Sequence, residues 1–150
     1  MSPIRTTHGA CGILSALILC LPHSTSAQSA ADPCKQLTQA EVTAATGSQV
    51  GEGHGIGGTC SWSGTPKVIV SLWYPGPAIW PGLAHPSAMV SQTQVPSLGD
   101  NAFVNVMGGF ASLGVRKGTS VFVIKVYGFN DPAKQIAIEK TLAAAVLAKM

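Results

Sequence analysis

Once an N-terminal leader is set aside, His54 and His85 are the side chains best able to move protons near neutral pH. His54 lies two residues from Glu52 inside Gly51-Glu-Gly-His-Gly-Ile-Gly-Gly58, and an acid beside an imidazole is what general acid–base chemistry needs. An enzyme reading therefore falls on Glu52, His54 and His85. The other acids have structural duties: Glu41 and Asp131 suit helix starts, Asp32 sits in the N-terminal lead-in, and Glu139 falls on the expected wet side of a helix. Asp100, between Gly99 and Asn101, reads as a turn residue whose side chain bonds local backbone. Nucleophilic catalysis lacks its parts, since there is no Gly-x-Ser-x-Gly elbow and no free cysteine in the mature chain. No catalytic residue is assigned.

His85 and Met89 are four apart, and Met107 and His54 could complete a soft site of the kind that binds copper outside the cell. No His-x-x-x-His spacing or dense Met cluster supports it, and Met89 can equally pack under a loop. Neither a metal nor a cofactor is expected. Gly53 to Gly58 spells Gly-x-Gly-x-x-Gly, yet a helix precedes it and a strand follows, the reverse of the strand-to-helix turn that dinucleotides require. A mobile glycine loop is the expectation there.

Recognition chemistry is better represented. Trp73 and Tyr74 lead into an irregular stretch, Pro75 to Gly99, which also holds Pro77, Pro81, Pro86 and Pro96 and presents Trp80. Aromatic rings give contact area at small entropy cost and proline stiffens the backbone beforehand. Trp73, Tyr74, Trp80 and His85 are the candidate ligand- or partner-binding residues. Packing beneath the loop is an equal alternative for Trp80, and Trp62 suits the core. The formal charge of +3, or +2 once Arg5 leaves with the leader, is scattered, which excludes a nucleic-acid footprint and a polybasic membrane patch.

Residues 1–27 read as a secretory signal peptide: Arg5, an apolar run from Gly12 to Leu21, then Thr25-Ser-Ala27 before Gln28. The run is about half of the roughly 20 residues a membrane-spanning helix needs, and the mature chain offers no longer one. Cys20 stands where a lipoprotein would be anchored, but the large Leu19 before it disfavours anchoring; a secreted or periplasmic protein is expected. Cleavage removes Cys11 and Cys20, leaving Cys34 and Cys60 to form one disulfide. Closing a loop of about 27 residues stabilises by ~3.5 kcal/mol on the chain-entropy argument. A redox role would want Cys-x-x-Cys at a helix start, which is absent.

Residues 28–33 read as a flexible lead-in and 34–150 as a single domain. Thr38 and Glu41 form a capping box, with Leu37 and Val42 as hydrophobic staple, opening a helix from Gln39 to Thr46 that Gly47 ends. Strands follow at Cys60–Ser63 and Lys67–Tyr74, with Val68, Val70 and Leu72 facing inward. Pro86 could start a short helix through Gln92, leaving Trp80 near the loop apex. A three-stranded meander comes next, 102–107, 110–116 and 119–127, with Phe122, Ile124 and Val126 toward the core and Val121, Val123, Lys125 and Tyr127 on the other face. Asp131-Pro132 opens a last helix with the stripe Ile138, Leu142, Ala145 and Val146. The sum is an α+β, two-layer arrangement: an antiparallel sheet of four to five strands, with an N-terminal and a C-terminal helix on one face.

Pro33-Cys34, Leu37-Thr38-x-x-Glu41-Val42, Gly47, Cys60-Ser61-Trp62, Leu98-Gly99-Asp100-x-Ala102 and the Ala-rich closing helix together resemble small secreted proteins and lipoproteins of unknown function from actinobacteria. Those families in turn resemble the extracellular sensor domains of some mycobacterial receptor kinases. The resemblance covers nearly all of the mature chain and implies a disulfide-tied helix and a curved sheet with a sensory or binding surface; it brings no catalytic residues. The lipobox and the Pro-rich loop depart from the lipoprotein members. The expected function is that of an exported, non-enzymatic binding or sensing module of the bacterial cell envelope, its partner an envelope protein or a small ligand. The alternatives are a small envelope enzyme using Glu52, His54 or His85, and a carrier of a metal or a small apolar ligand with its pocket between sheet and loop.

Overall fold

A computed structural model of the chain describes residues 32–65 and 67–150. The signal peptide over 1–27 and residues 28–31 of the lead-in lie outside the described residues. Asp32 Oδ1 accepts from the Cys34 N–H at 3.0 Å and so caps the single turn α1 (Pro33–Gln36). In α2 (Gln39–Thr46) the Thr38 hydroxyl accepts the Glu41 N–H at 3.2 Å while Glu41 accepts the Thr38 N–H at 2.7 Å, the reciprocal capping box the sequence spells. Leu37 and Val42 are both buried in the main core, as a staple requires. Cys34 and Cys60 are bonded, with Cα atoms 5.2 Å apart, which ties α1 to the sheet.

Seven strands form one antiparallel sheet: β1 (His54–Ile56), β2 (Thr59–Gly64), β3 (Val68–Trp73), β4 (Ser91–Gln94), β5 (Asn101–Met107), β6 (Phe110–Lys117) and β7 (Ser120–Tyr127). Their spatial order is β1-β2-β3-β7-β6-β5-β4. The expected four to five strands are therefore too few. The two additions are the edges, β1 and β4, and edge strands of glycine or of Ser, Gln and Thr bury too little to show an apolar alternation. The glycine stretch is thus half of a hairpin rather than a loop, turning at Gly57-Gly58, where φ values of +56° and +77° favour glycine. Gly53 serves another purpose: a Cβ there would stand 2.6 Å from Cys60 Sγ and 2.7 Å from Trp62 Nε1, so only glycine lets this segment lie over the disulfide.

The order places β3 beside β7, although β4 to β6 intervene in the chain. Leaving Trp73, the backbone must travel four strand spacings, about 19 Å, to begin β4 at the far edge. It does so across one face of the sheet, which is why the Pro-rich connection is long. Its helical part is not the expected turn after Pro86 but a 3-10 turn, Pro77–Ile79, running into α3 (Trp80–Ala84). Trp80, Leu83 and Ala84 pack on Phe103 and Val121, a cluster separate from the main core.

The other face carries the main core. Val68, Val70 and Leu72 from β3, Leu113 and Val115 from β6, and Phe122, Ile124 and Val126 from β7 meet Leu142, Ala143 and Val146 of α4 (Pro132–Leu147). Helices thus cover both faces, not one: α2 and α4 the core face, α3 the far face. Asp131 caps α4 as its sequence indicates, accepting from the Ala133 N–H at 2.9 Å.

Glu139 corrects the sequence reading, because it is fully buried rather than wet. It follows Ile138 and precedes Leu142 and Ala143 by three and four, so it falls inside the buried stripe of α4. Its Oε1 accepts from the Val126 N–H at 3.1 Å, and the neighbouring Gln135 accepts from the Ala111 N–H at 3.2 Å. These helix side chains satisfy strand donors where the β6–β7 register, which starts at Leu113 and Ile124, has not begun. Burial pushes the Glu139 carboxyl up to about 8, against the opposing pulls of the Val126 hydrogen bond and the Lys125 charge.

Candidate functional site

The crossing segment creates a site by not lying flat. Strand alternation sends Phe103, Asn105 and Met107 of β5, Phe110 and Ser112 of β6, and Val121, Val123, Lys125 and Tyr127 of β7 to the far face. Over Gly114 the Phe103 ring lies close, its nearest atom 2.9 Å from where a Cβ would be, and Trp80 packs against that ring at a tilt of 42° with centroids 4.9 Å apart. The Arg116 guanidinium covers Trp80 at 5.3 Å. Polar bonds hold the other end of the strap: Gln92 Nε2 donates to the Leu83 carbonyl at 3.2 Å and to Asn105 Oδ1 at 2.9 Å.

Between these two attachments the segment bridges an open groove of about 450 Å³. Leu83, Pro86 and Val90 form its roof side and Met107, Phe110 and Tyr127 its sheet side, with Ser112 and Lys125 in the floor. Phe110 and Tyr127 rings are 6.1 Å apart, and Met107 and Phe110, 56% and 59% exposed, leave the mouth apolar. A smaller cleft of about 130 Å³ adjoins it, where Trp73, Ser71 and Val123 meet Lys125 again. Lys125 therefore belongs to both depressions. Among the described residues no carboxylate oxygen lies within 4.0 Å of its Nζ.

The residues singled out by sequence are dispersed. Trp73 is half-buried on the far face, in the small cleft. Tyr74, one residue on, turns to the core face and packs on Phe122 at 5.8 Å; its hydroxyl is buried, and that burial pushes its pKa up to about 12. Trp80 is only 7% exposed, so the ring expected at a loop apex fastens the strap instead. His85 is exposed at the end of α3, next to the groove-lining Pro86 but outside the lining itself.

Glu52, His54 and His85 do not converge. His54 is on the edge strand β1, whereas the Leu83 carbonyl just before His85 lies within reach of Asn105 on β5, five strands or about 24 Å away. The His85–Met89 pair lacks the helical turn that would align it, Met89 is 81% exposed, and among the described residues no three His, Cys, Asp or Glu side chains gather as metal ligands would. Asp100 does bond backbone, though of a distant turn: its Oδ2 accepts from the Gly118 N–H at 2.6 Å.

What sequence reasoning missed is the floor of the groove. Lys125 and Tyr127 were readable as far-face residues from the alternation of β7, but nothing marked that face as roofed. Compared with known proteins, the chain matches no family model, no curated protein and no solved structure. Among the described residues no helix is long and apolar enough to cross a membrane. Fold and site together define an α+β domain with the Cys34–Cys60 disulfide and a strap-roofed groove on the sheet face opposite its main helices.

Proposed function

We propose that this chain is an exported, non-enzymatic binding or sensing module of the bacterial cell envelope, and that its ligand seat is the groove between the strap and the far sheet face. The observation that carries the reading is the groove itself, about 450 Å³ with largely apolar walls and a few polar groups in its floor. Sites for small ligands have that size and that mixture. The carrier alternative and the sensing module thereby become one reading, since a ligand under the strap would change what the strap presents. Trp80 contributes by locking the strap to Phe103 rather than by touching ligand, Trp73 lines the adjoining cleft, and His85 stands beside the groove. Export rests on the leader and on the disulfide, and the resemblance to small secreted and sensor domains points the same way.

Native mass spectrometry of the mature protein recovered from its own envelope, with and without reductant, tests this. Extra mass that Ser112→Trp removes, by filling the groove floor, is the expected result. A bare disulfide-bonded mass, together with no small-molecule binding by the purified protein, would overturn the groove reading and turn attention to a protein partner on the rim formed by Met107 and Phe110.

A further inference from the structure

The chemistry of the groove narrows what it holds. Lys125 is the cation in a floor otherwise made of hydroxyl, amide and apolar groups, and it sits where the large groove and the small cleft meet. Every described acid is accounted for elsewhere: Asp32 and Glu41 at the ends of α1 and α2, Asp100 at the β6–β7 turn, Asp131 at the start of α4, Glu52 beside the opposite edge strand, and Glu139 in the helix layer on the other side of the sheet. Lys125 is a half-buried residue with no carboxylate among the described residues within 4.0 Å of its Nζ, the acid that feels its charge being Glu139 in the opposite layer, and an anion that brings its own apolar surface would match both the cation and the apolar walls around it. Ser71, the register partner of Lys125, and Ser112 add hydroxyl donors at the same spot. Leading away from it, Leu83, Val90, Met107 and Phe110 offer a trough that water covers poorly.

We propose that the groove binds a single-chain anionic amphiphile, its head group on Lys125 with Ser71 and Ser112, and its chain lying under the strap against Leu83, Val90, Met107 and Phe110. The proposal rests on the groove reading above and specifies its ligand class. A neutral chain would leave the ammonium unpaired, and a cationic one would be repelled by it.

The experiment is displacement of the neutral fluorescent probe N-phenyl-1-naphthylamine from the mature, oxidised protein by dodecanoate, dodecanol and dodecyltrimethylammonium. Dodecanoate should compete at least tenfold more tightly than dodecanol, and the cation more weakly than either. Lengthening the carboxylate by two carbons should tighten binding by up to about tenfold until the trough is full. Lys125→Met should erase the preference for acid over alcohol, each competition being scored against that variant's own probe affinity, while Lys125→Arg should retain it; if the Met variant does not fold, Lys125→Gln carries the same comparison. Equal competition by acid and alcohol, or a preference that survives the loss of the charge, overturns the anionic class and leaves the groove reading standing. Failure of probe and chains alike to bind, or binding that Ser112→Trp does not weaken, overturns the groove reading and this proposal with it.

Discussion

Glu139→Gln isolates the one acid buried in the core. An ordinary glutamate titrates near 4.5 and the folded Glu139 at about 8, so between those values the native state keeps a proton that the unfolded chain has released. The native state binds more protons in that window, and stability must fall as pH rises through it; below 4.5 both states hold the proton and above about 8 neither does. Across the window the loss is on the order of 5 kcal/mol, a large share of the 5–15 kcal/mol that holds a domain together. Glutamine keeps an acceptor for the Val126 N–H and cannot ionise. Its amide places donors where Oε2 now has no partner among the described residues, a cost of about 1–3 kcal/mol that does not vary with pH. Urea unfolding of both proteins with the disulfide intact, at about pH 5, 6.5 and 8.5, should give a stability difference that grows by several kcal/mol in favour of the variant as pH rises. All other titrations cancel in that difference. Two parallel curves would refute the reasoning, since Glu139 would then ionise alike in both states.

Trp80→Ala should cost about 3 kcal/mol at most, because the strap can detach while the sheet stays folded; hydrogen exchange should quicken at His85 and Val90 and stay unchanged in β7. Equal acceleration in both places would mean that the strap is part of the global core. Gly53→Ala forces a methyl against Cys60 Sγ and Trp62, and a loss of about 1–3 kcal/mol in thermal melts is expected; no loss would show that the segment simply lifts away. Reducing Cys34–Cys60 should lower stability by ~3.5 kcal/mol, read from urea midpoints with and without reductant, and a change under about 1 kcal/mol would contradict the chain-entropy account. Thr38→Ala should remove about 1 kcal/mol through the lost cap, with Thr38→Ser restoring most of it.

Local rules carried much of the fold. The capping box at Thr38, the N-cap at Asp131, the meander from Asn101 to Tyr127 and the inward faces of β3 and β7 all depend on neighbours in sequence, and all appear where the residues indicate. The misses depend on tertiary placement. Ser91-Gln-Thr-Gln94 is a strand because β5 offers it a partner, not because its residues favour burial. Glu139 shares the α4 stripe with Leu142 and Ala143, but a charged residue type reads as wet until the Val126 N–H, a strand donor far away in sequence, is seen to give it a partner inside. Trp80 is buried because the order β3-β7-β6-β5-β4 sends the connection across a sheet face, and strand order cannot be read from the strands themselves. The groove follows from that same crossing. Its residues were each placed on the correct face of a strand, while the roof that makes them a site comes from a loop whose path was not legible.

Lys149 Nζ donates to the Gln36 carbonyl and to Glu41 Oε2, each at 2.8 Å, so the last residues of the chain are fastened beside α1 and the start of α2. Asp32, at the start of α1, and residue 150 thus both stand at the helical layer, behind the sheet. A surface, a fusion partner or a label attached at either of these points would therefore hold the domain by its back and leave the strap and the mouth of the groove turned outward, free to exchange with the surroundings.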